Sequence, residues 1–310
     1  MDISQLTEGP GKIHNTYFAI QREGSQLRWW VMKGYANSDL VVSARDLAAL
    51  LEGSPRPLVL DLRPPEAYTA AHIPTAIHLD LWGVSLIDTD PAPLKAFMWM
   101  IEHVLAVHGV DATTPVVVYD DQSGVRAARA FWFLEHFGHP SVRVLDGGFG
   151  AWTAAGLPTT RDASPPPKSD WTGIRDPRSL ATWKDVEQAI ARDDAVILDT
   201  RSDAEYEGTL VRARRGGAVP GAVHIEWTRN LAESGEFKSA AELKKMYTDA
   251  GVTPDREVIT YCQGGYRAAN SYLALRLLGY PRVRMYIGSW KEWGDREDLP
   301  IEHPAPASRT

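Results

Sequence analysis

The chain has 310 residues, 44% hydrophobic and 24% charged, the balance of a soluble globular protein long enough for two domains of ordinary size. A formal net charge of −7 without a basic, aromatic-interleaved patch argues against a nucleic-acid partner, and no stretch approaches the ~20 apolar residues of a membrane span. Met1-Asp2-Ile3-Ser4-Gln5 lacks the basic flank and apolar core of a secretory signal, and a lone cysteine, Cys262, excludes an intramolecular disulfide, so the expected compartment is the reducing cytoplasm.

Residues 1–37 read as an N-terminal extension whose Trp29, Trp30 and Tyr35 imply that part of it packs on a domain. A first domain is expected over 38–158. In it, Val41-Val42 leads into a helix from Ser43 to Leu51 with Ser43 as N-cap. Strands at 58–62 and 76–79, a helix at 94–108, a strand at 116–119, a helix at 126–137 and a strand at 142–145 follow. Such alternation predicts an α/β domain, a parallel sheet with helices on both faces. Residues 159–178, with Ser164-Pro165-Pro166-Pro167-Lys168, read as a semi-rigid extended linker. A second domain is expected over 179–302 and a short tail over 303–310.

The two domains repeat one another. Leu58-Val59-Leu60-Asp61-Leu62-Arg63 matches Val196-Ile197-Leu198-Asp199-Thr200-Arg201, and Tyr68 then matches Tyr206. His72-Ile73-Pro74-Thr75-Ala76-Ile77-His78 matches Ala218-Val219-Pro220-Gly221-Ala222-Val223-His224, and Val116-Val117-Val118-Tyr119-Asp120 matches Val258-Ile259-Thr260-Tyr261-Cys262. Gly138-His139-Pro140 answers Gly279-Tyr280-Pro281, and Trp152 answers Trp293. A unit of this length is a duplicated domain, too long for a solenoid repeat.

Cys262 closes a strand and precedes a Gly-Gly turn, an arginine and a helical pattern from Ala268 to Leu278. A thiol at such a turn faces backbone N–H groups and the positive end of a helix, which favours the thiolate and binds anions. In open parallel sheets the ligand sits at the carboxyl ends of the strands, where this cysteine lies. Gly264 and Gly265 are expected to supply positive φ values.

The paired Asp-x-Arg strand ends, the (Ile/Val)-Pro-(Thr/Gly)-Ala turns, the Cys262 loop and the Gly-Ser-Trp-x-Glu-Trp close resemble tandem-domain rhodaneses, the thiosulfate and 3-mercaptopyruvate sulfurtransferases, over roughly residues 38–302. The resemblance implies two rhodanese domains, the second catalytic. Asp120 stands at the cysteine position of the first, where a carboxylate can occupy the N–H nest but cannot carry sulfur. It also implies that Cys262 forms a persulfide, that Arg201 and Arg267 bind the anionic donor, and that the amides of Gln263, Gly264, Gly265, Tyr266 and Arg267 hold the persulfide's charge. The partners expected are a small anionic donor and an external thiophilic acceptor, cyanide or a thiol, because no second cysteine can resolve the persulfide. No cofactor is called for, and neither half shows a metal-ligand spacing. The oligomeric state is left open, with a monomer compatible.

Three other readings stand beside thiosulfate transfer. Gly264 replaces the serine, and Arg267 the threonine, of the mercaptopyruvate-type loop, which favours thiosulfate while leaving mercaptopyruvate open. A cysteine-dependent phosphatase would use Cys-x5-Arg, whereas Cys262 to Arg267 is the tighter Cys-x4-Arg, and a non-catalytic carrier module would lack the loop cysteine or arginine. The insertion Val211-Arg212-Ala213-Arg214-Arg215-Gly216-Gly217 reads as a solvated basic loop, His72, His78 and His224 as packing residues, and Trp152, Trp290 and Trp293 as core.

Overall fold

The structure, a computed structural model, describes residues 11–13, 16–23 and 26–305, so the end of the tail lies outside it. Three strands, β1 (Gly11–Ile13), β2 (Thr16–Glu23) and β3 (Gln26–Met32), form an antiparallel sheet at the start of the chain. Trp29 and Trp30 belong to β3, and their side chains lie outside the described part. Tyr35 ties the extension to the second half, its hydroxyl donating to the carbonyls of Phe237 (3.2 Å) and Lys238 (2.7 Å).

The first half then runs β4 (Val41–Val42), α1 (Ala44–Glu52), β5 (Leu58–Asp61), α2 (Pro65–Ala70), β6 (Ile77–His78), α3 (Pro91–Val107), β7 (Val116–Tyr119), α4 (Val125–His136), β8 (Val142–Leu145) and α5 (Gly148–Ala154). The second runs β9 (Leu180–Ala181), α6 (Trp183–Ala189), β10 (Ala195–Asp199), α7 (Asp203–Tyr206), β11 (Val223–His224), α8 (Ala240–Asp249), β12 (Glu257–Tyr261), α9 (Tyr266–Leu277), β13 (Val283–Tyr286) and α10 (Ser289–Trp293). The strand orders, β4-β8-β7-β5-β6 and β9-β13-β12-β10-β11, are the same, and every pairing within them is parallel. Ser43 caps α1, accepting from the Asp46 amide at 3.2 Å. Helix α3 starts three residues ahead of the expected 94, because Pro91 with its preset φ suits a first helical position.

Alternation along the strands sorts their side chains between two kinds of core. Leu58, Leu60, Val116 and Val118 of the first sheet share one continuous cluster with Val196, Leu198, Val258 and Met285 of the second, through α4 and α9. Their neighbours turn to separate outer cores, Val59 and Val117 with Trp152 in one half, Ile197 and Ile259 with Trp290 and Trp293 in the other. The two domains are thus fused through their inner faces. Polar ties flank the fusion: Glu135 accepts from Tyr272 (2.5 Å) and Arg276 (3.0 Å), and Asn270 donates to the Ser123 carbonyl (2.8 Å). The proline-rich segment is strapped along the first domain. Ser169 donates to the Val110 carbonyl (2.5 Å), the Gly173 amide donates to Glu102 (2.8 Å), and Trp171 packs edge-on against Phe137.

His136, buried at the end of α4, anchors the end of that strap through Nδ1, 3.0 Å from the Asp176 carbonyl and 2.9 Å from Ser179 Oγ. Burial pulls its pKa down to about 4. Below the ordinary histidine value of about 6.5 the unfolded chain takes up a proton that the native one refuses. Stability is therefore expected to fall as pH drops from about 6.5 to about 4, by about 3 kcal/mol in total. Denaturant unfolding across that range should show a shallower slope for His136→Gln; identical slopes would remove His136 as the cause.

Candidate active site

Cys262 follows β12 directly, at the carboxyl edge of the second sheet. Its backbone is pinned on both sides, the amide donating to Ser289 Oγ (3.1 Å) and the carbonyl accepting from the Trp290 amide (2.9 Å). Gly265, at φ +86°, turns the chain into α9 and aims its N–H at Cys262 Sγ, 3.1 Å away. A side chain there would be strained by the dihedral and would press on the Ile287 carbonyl at 3.2 Å. Gly264 departs from expectation, since it is not among the glycines of positive φ. Its bareness serves another purpose: a β-carbon would stand 3.3 Å from Ser85 Oγ of the first domain. Among the loop amides, that of Gly265 is the one that reaches the sulfur.

The sulfur, almost fully buried, forms the floor of a pocket of about 450 Å³. Gln263, Gly264, Tyr266 and Arg267 line it from the loop, and Arg212 and Trp227 from elsewhere in the second domain. Trp82, Gly83, Ser85 and Val125 close it from the first domain. Trp82 is held between Tyr266, ring centroids 4.8 Å apart, and the Arg126 guanidinium, 4.3 Å from its ring.

Charge at the mouth is organised by Glu205. Both terminal nitrogens of Arg267 bind its carboxylate, Nη2 at 2.9 Å, and Arg212 stands 3.4 Å away. Burial alone would push this carboxyl up; the Arg267 hydrogen bond and charge outweigh it and bring it down to about 2. Two arginines against one glutamate leave this trio with one net positive charge. The insertion is therefore not simply a solvated loop. Arg212 lines the pocket and its carbonyl accepts from Gln263 Nε2 (2.9 Å), whereas Arg215 is spent on the carbonyls of Trp293 (3.1 Å) and Leu299 (2.9 Å).

A family model for the rhodanese-like domain matches residues 43–155 and again 182–296. The chain belongs to the rhodanese family. The thiosulfate sulfurtransferase of Pseudomonas aeruginosa is 34% identical over 276 residues, covering 87% of this chain and 100% of that protein. The sulfur carrier protein TtuD of Thermus thermophilus is 35% identical, covering 86% of this chain and 98% of its own. Among solved structures, the anaerobic ergothioneine biosynthesis enzyme from Chlorobium limicola, in complex with trimethyl histidine, superposes with a TM-score of 0.78 at 22% identity, over 90% of this chain and 73% of that one, a likeness of fold. This rhodanese is a sulfurtransferase, working between a sulfur donor and an acceptor.

The structure sets Arg201 apart from the pocket and Asp120 at its expected position in the first domain. Arg201 does not line the pocket. Its Nε binds both Asp199 oxygens at 3.0 Å, its Nη2 donates to the Gly217 carbonyl (2.7 Å), and its guanidinium lies 4.5 Å from the Trp290 ring, all buried. The first domain builds the same cluster without a thiol. There Arg63 binds Asp61 (3.0 and 3.1 Å), donates to the Ala71 carbonyl (2.7 Å) and stacks 3.8 Å from the Phe149 ring. In both halves a tyrosine, Tyr119 (2.5 Å) or Tyr261 (2.6 Å), donates to the aspartate. A cluster present with and without the nucleophile belongs to the fold. His78 and His224 complete it, each reaching the arginine's own carbonyl.

Asp120 occupies the first domain's counterpart of the sulfur nest. It accepts from the amides of Gly124 (3.0 Å), Arg126 (3.0 Å) and Ala127 (3.2 Å), yet burial outweighs these bonds and raises its carboxyl to about 6. The sequence reading passed over Glu205, Trp82, Ser85 and Trp227. Only Glu205 had a local signal, the Ser202-x-x-Glu205 capping pattern, and that pattern speaks of a helix start.

Removing one partner of a buried pair leaves the other uncompensated, at about 3–5 kcal/mol. Arg201→Met and Arg63→Met are therefore expected to lower stability by similar amounts in chemical unfolding. A stable Arg201→Met protein whose only defect is a raised KM for donor would return Arg201 to the binding site.

Proposed function

We propose that this rhodanese moves the sulfane sulfur of thiosulfate to a thiophilic acceptor through a persulfide on Cys262. The observation that carries this reading is a lone buried sulfur receiving the Gly265 N–H at 3.1 Å beneath a mouth of net positive charge. The thiolate attacks the outer sulfur of the dianion, a Cys262 S–S bond forms, the sulfur–sulfur bond of thiosulfate breaks, and sulfite leaves with the electron pair. The persulfide inherits the negative charge on its outer sulfur, and the Gly265 amide, which donates to Cys262 Sγ, supports the inner one. Arg267, with Arg212 alongside, offsets repulsion between donor and thiolate. An acceptor thiolate or cyanide then attacks the terminal sulfur and regenerates Cys262, giving a ping-pong sequence. A pocket of about 450 Å³ with Trp82, Trp227 and Tyr266 in its walls suits an organic thiol better than an ion as small as cyanide.

Intact mass after thiosulfate treatment is expected to rise by one sulfur atom in the wild type and not in Cys262→Ser, and an added thiol should remove it. Sulfur retained equally by Cys262→Ser would sink the mechanism. Arg267→Ala should raise the KM for thiosulfate about 10- to 150-fold, the equivalent of a lost charge-assisted bond of about 1.5–3 kcal/mol. Initial rates should show thiosulfate to be a better donor than 3-mercaptopyruvate; the reverse order would reassign the donor.

A further inference from the structure

Arg129, in the second turn of α4, is buried in the wall between the domains, 1% exposed. Among the described residues no carboxylate pairs with it. Nη1 donates to the Val84 carbonyl at 2.6 Å, whereas Nε and Nη2 are buried without a hydrogen-bond partner. A desolvated, permanently charged guanidinium left with free donors is costly unless a compensating charge lies near. The group stands against the catalytic loop. Its guanidinium carbon lies 4.0 Å from the centre of the Tyr266 ring, and a methyl added at Gly265 would come within 3.8 Å of its Nε. Gly265 is the residue whose own amide reaches Cys262 Sγ.

We propose that Arg129, supplied by the domain that has no thiol, is the positioning residue that balances the negative charge of the Cys262 sulfur from beneath the loop. It clamps Tyr266 by stacking, while Tyr266 in turn donates to the Leu81 carbonyl at 2.6 Å. The titratable groups facing it are Tyr266 and Cys262, with the Phe133 ring on its own helix. Burial raises the Tyr266 phenol, which stays neutral, so the sulfur is the anion the cation can serve. Burial lowers the Arg129 pKa, and a charge on Cys262 acts in the opposite sense. Arg267, which lines the pocket with Cys262, is already bound to Glu205, so Arg129 is the cation of the pair that, among the described residues, has no carboxylate of its own. The part of this inference that concerns the persulfide rests on the reaction proposed above; the part that concerns the thiolate does not.

The test is the pH dependence of Cys262 alkylation by iodoacetamide, which needs no sulfur donor. Arg129→Met, which keeps length and apolar contact, should shift the alkylation midpoint up by about one pH unit, with Arg129→Lys recovering most of it. Turnover of Arg129→Met should fall at least about tenfold through kcat, with KM for thiosulfate little changed, because the cation sits behind the sulfur and away from the mouth. An unmoved or lowered alkylation midpoint in a folded Arg129→Met protein would overturn the inference, since loss of a cation raises the midpoint whereas loosened packing that admits water lowers it. Should Arg129→Met fail to fold, the Arg129 Nε–H resonance of the wild type decides. It should move with the titration of Cys262 and stand still in Cys262→Ser; a signal indifferent to Cys262 would overturn the proposal. A shifted alkylation midpoint in a protein that thiosulfate cannot load would leave Arg129 in place and defeat the thiosulfate reading alone.

Discussion

The shared core behind α4 and α9 is the constraint from which the rest follows. Each sheet turns one face inward to a single apolar cluster, so neither inner face is complete without the other domain. That fusion brings the loop after β12 against Ser85 and Trp82 of the first domain. A β-carbon at Gly264 would crowd the Ser85 hydroxyl at this contact, and Gly265 holds a positive φ within the turn itself. The pocket is therefore a property of the packed pair.

Four buried or half-buried arginines show how the partner decides the role. Arg63 and Arg201 each neutralise an aspartate at a strand end, stack on an aromatic ring and tie a distant carbonyl, so their charge is spent within the fold. Arg267 shares Glu205 with Arg212, which leaves an excess of charge where an anion would arrive. Arg129 is without a carboxylate. Position along the sequence separates none of these; the accounting of opposite charge separates all four.

The fold was legible because it is written twice. Apolar runs of the right length recur in the same order in both halves, and a mistaken strand in one half would have lacked its counterpart in the other. The Cys262 loop was legible because nucleophile, turn glycine and helix start are contiguous. Trp82, Ser85 and Arg129 could not be read, since they meet Cys262 only after chain segments more than a hundred residues apart are folded together. For Arg201 the sequence itself offered the architectural reading: its twin Arg63 sits in the half without a thiol, and a motif shared by both halves speaks first of the fold. Gly264 was misread for a similar reason, because the contact that requires its smallness is made by the other domain.

The division of the pocket wall between domains has a consequence for how such a protein changes over time. Cys262 and the Gly265 amide that reaches it belong to one domain, while Trp82, Ser85 and Val125 of the other line the same pocket. On the proposed reaction, the collecting face is thus inherited on the half without a thiol, whereas reactivity draws on both, through Arg129 behind the loop. The half without a thiol is then free to change at Trp82, Ser85 and Val125 toward other acceptors, provided it keeps Arg129 and its side of the common core.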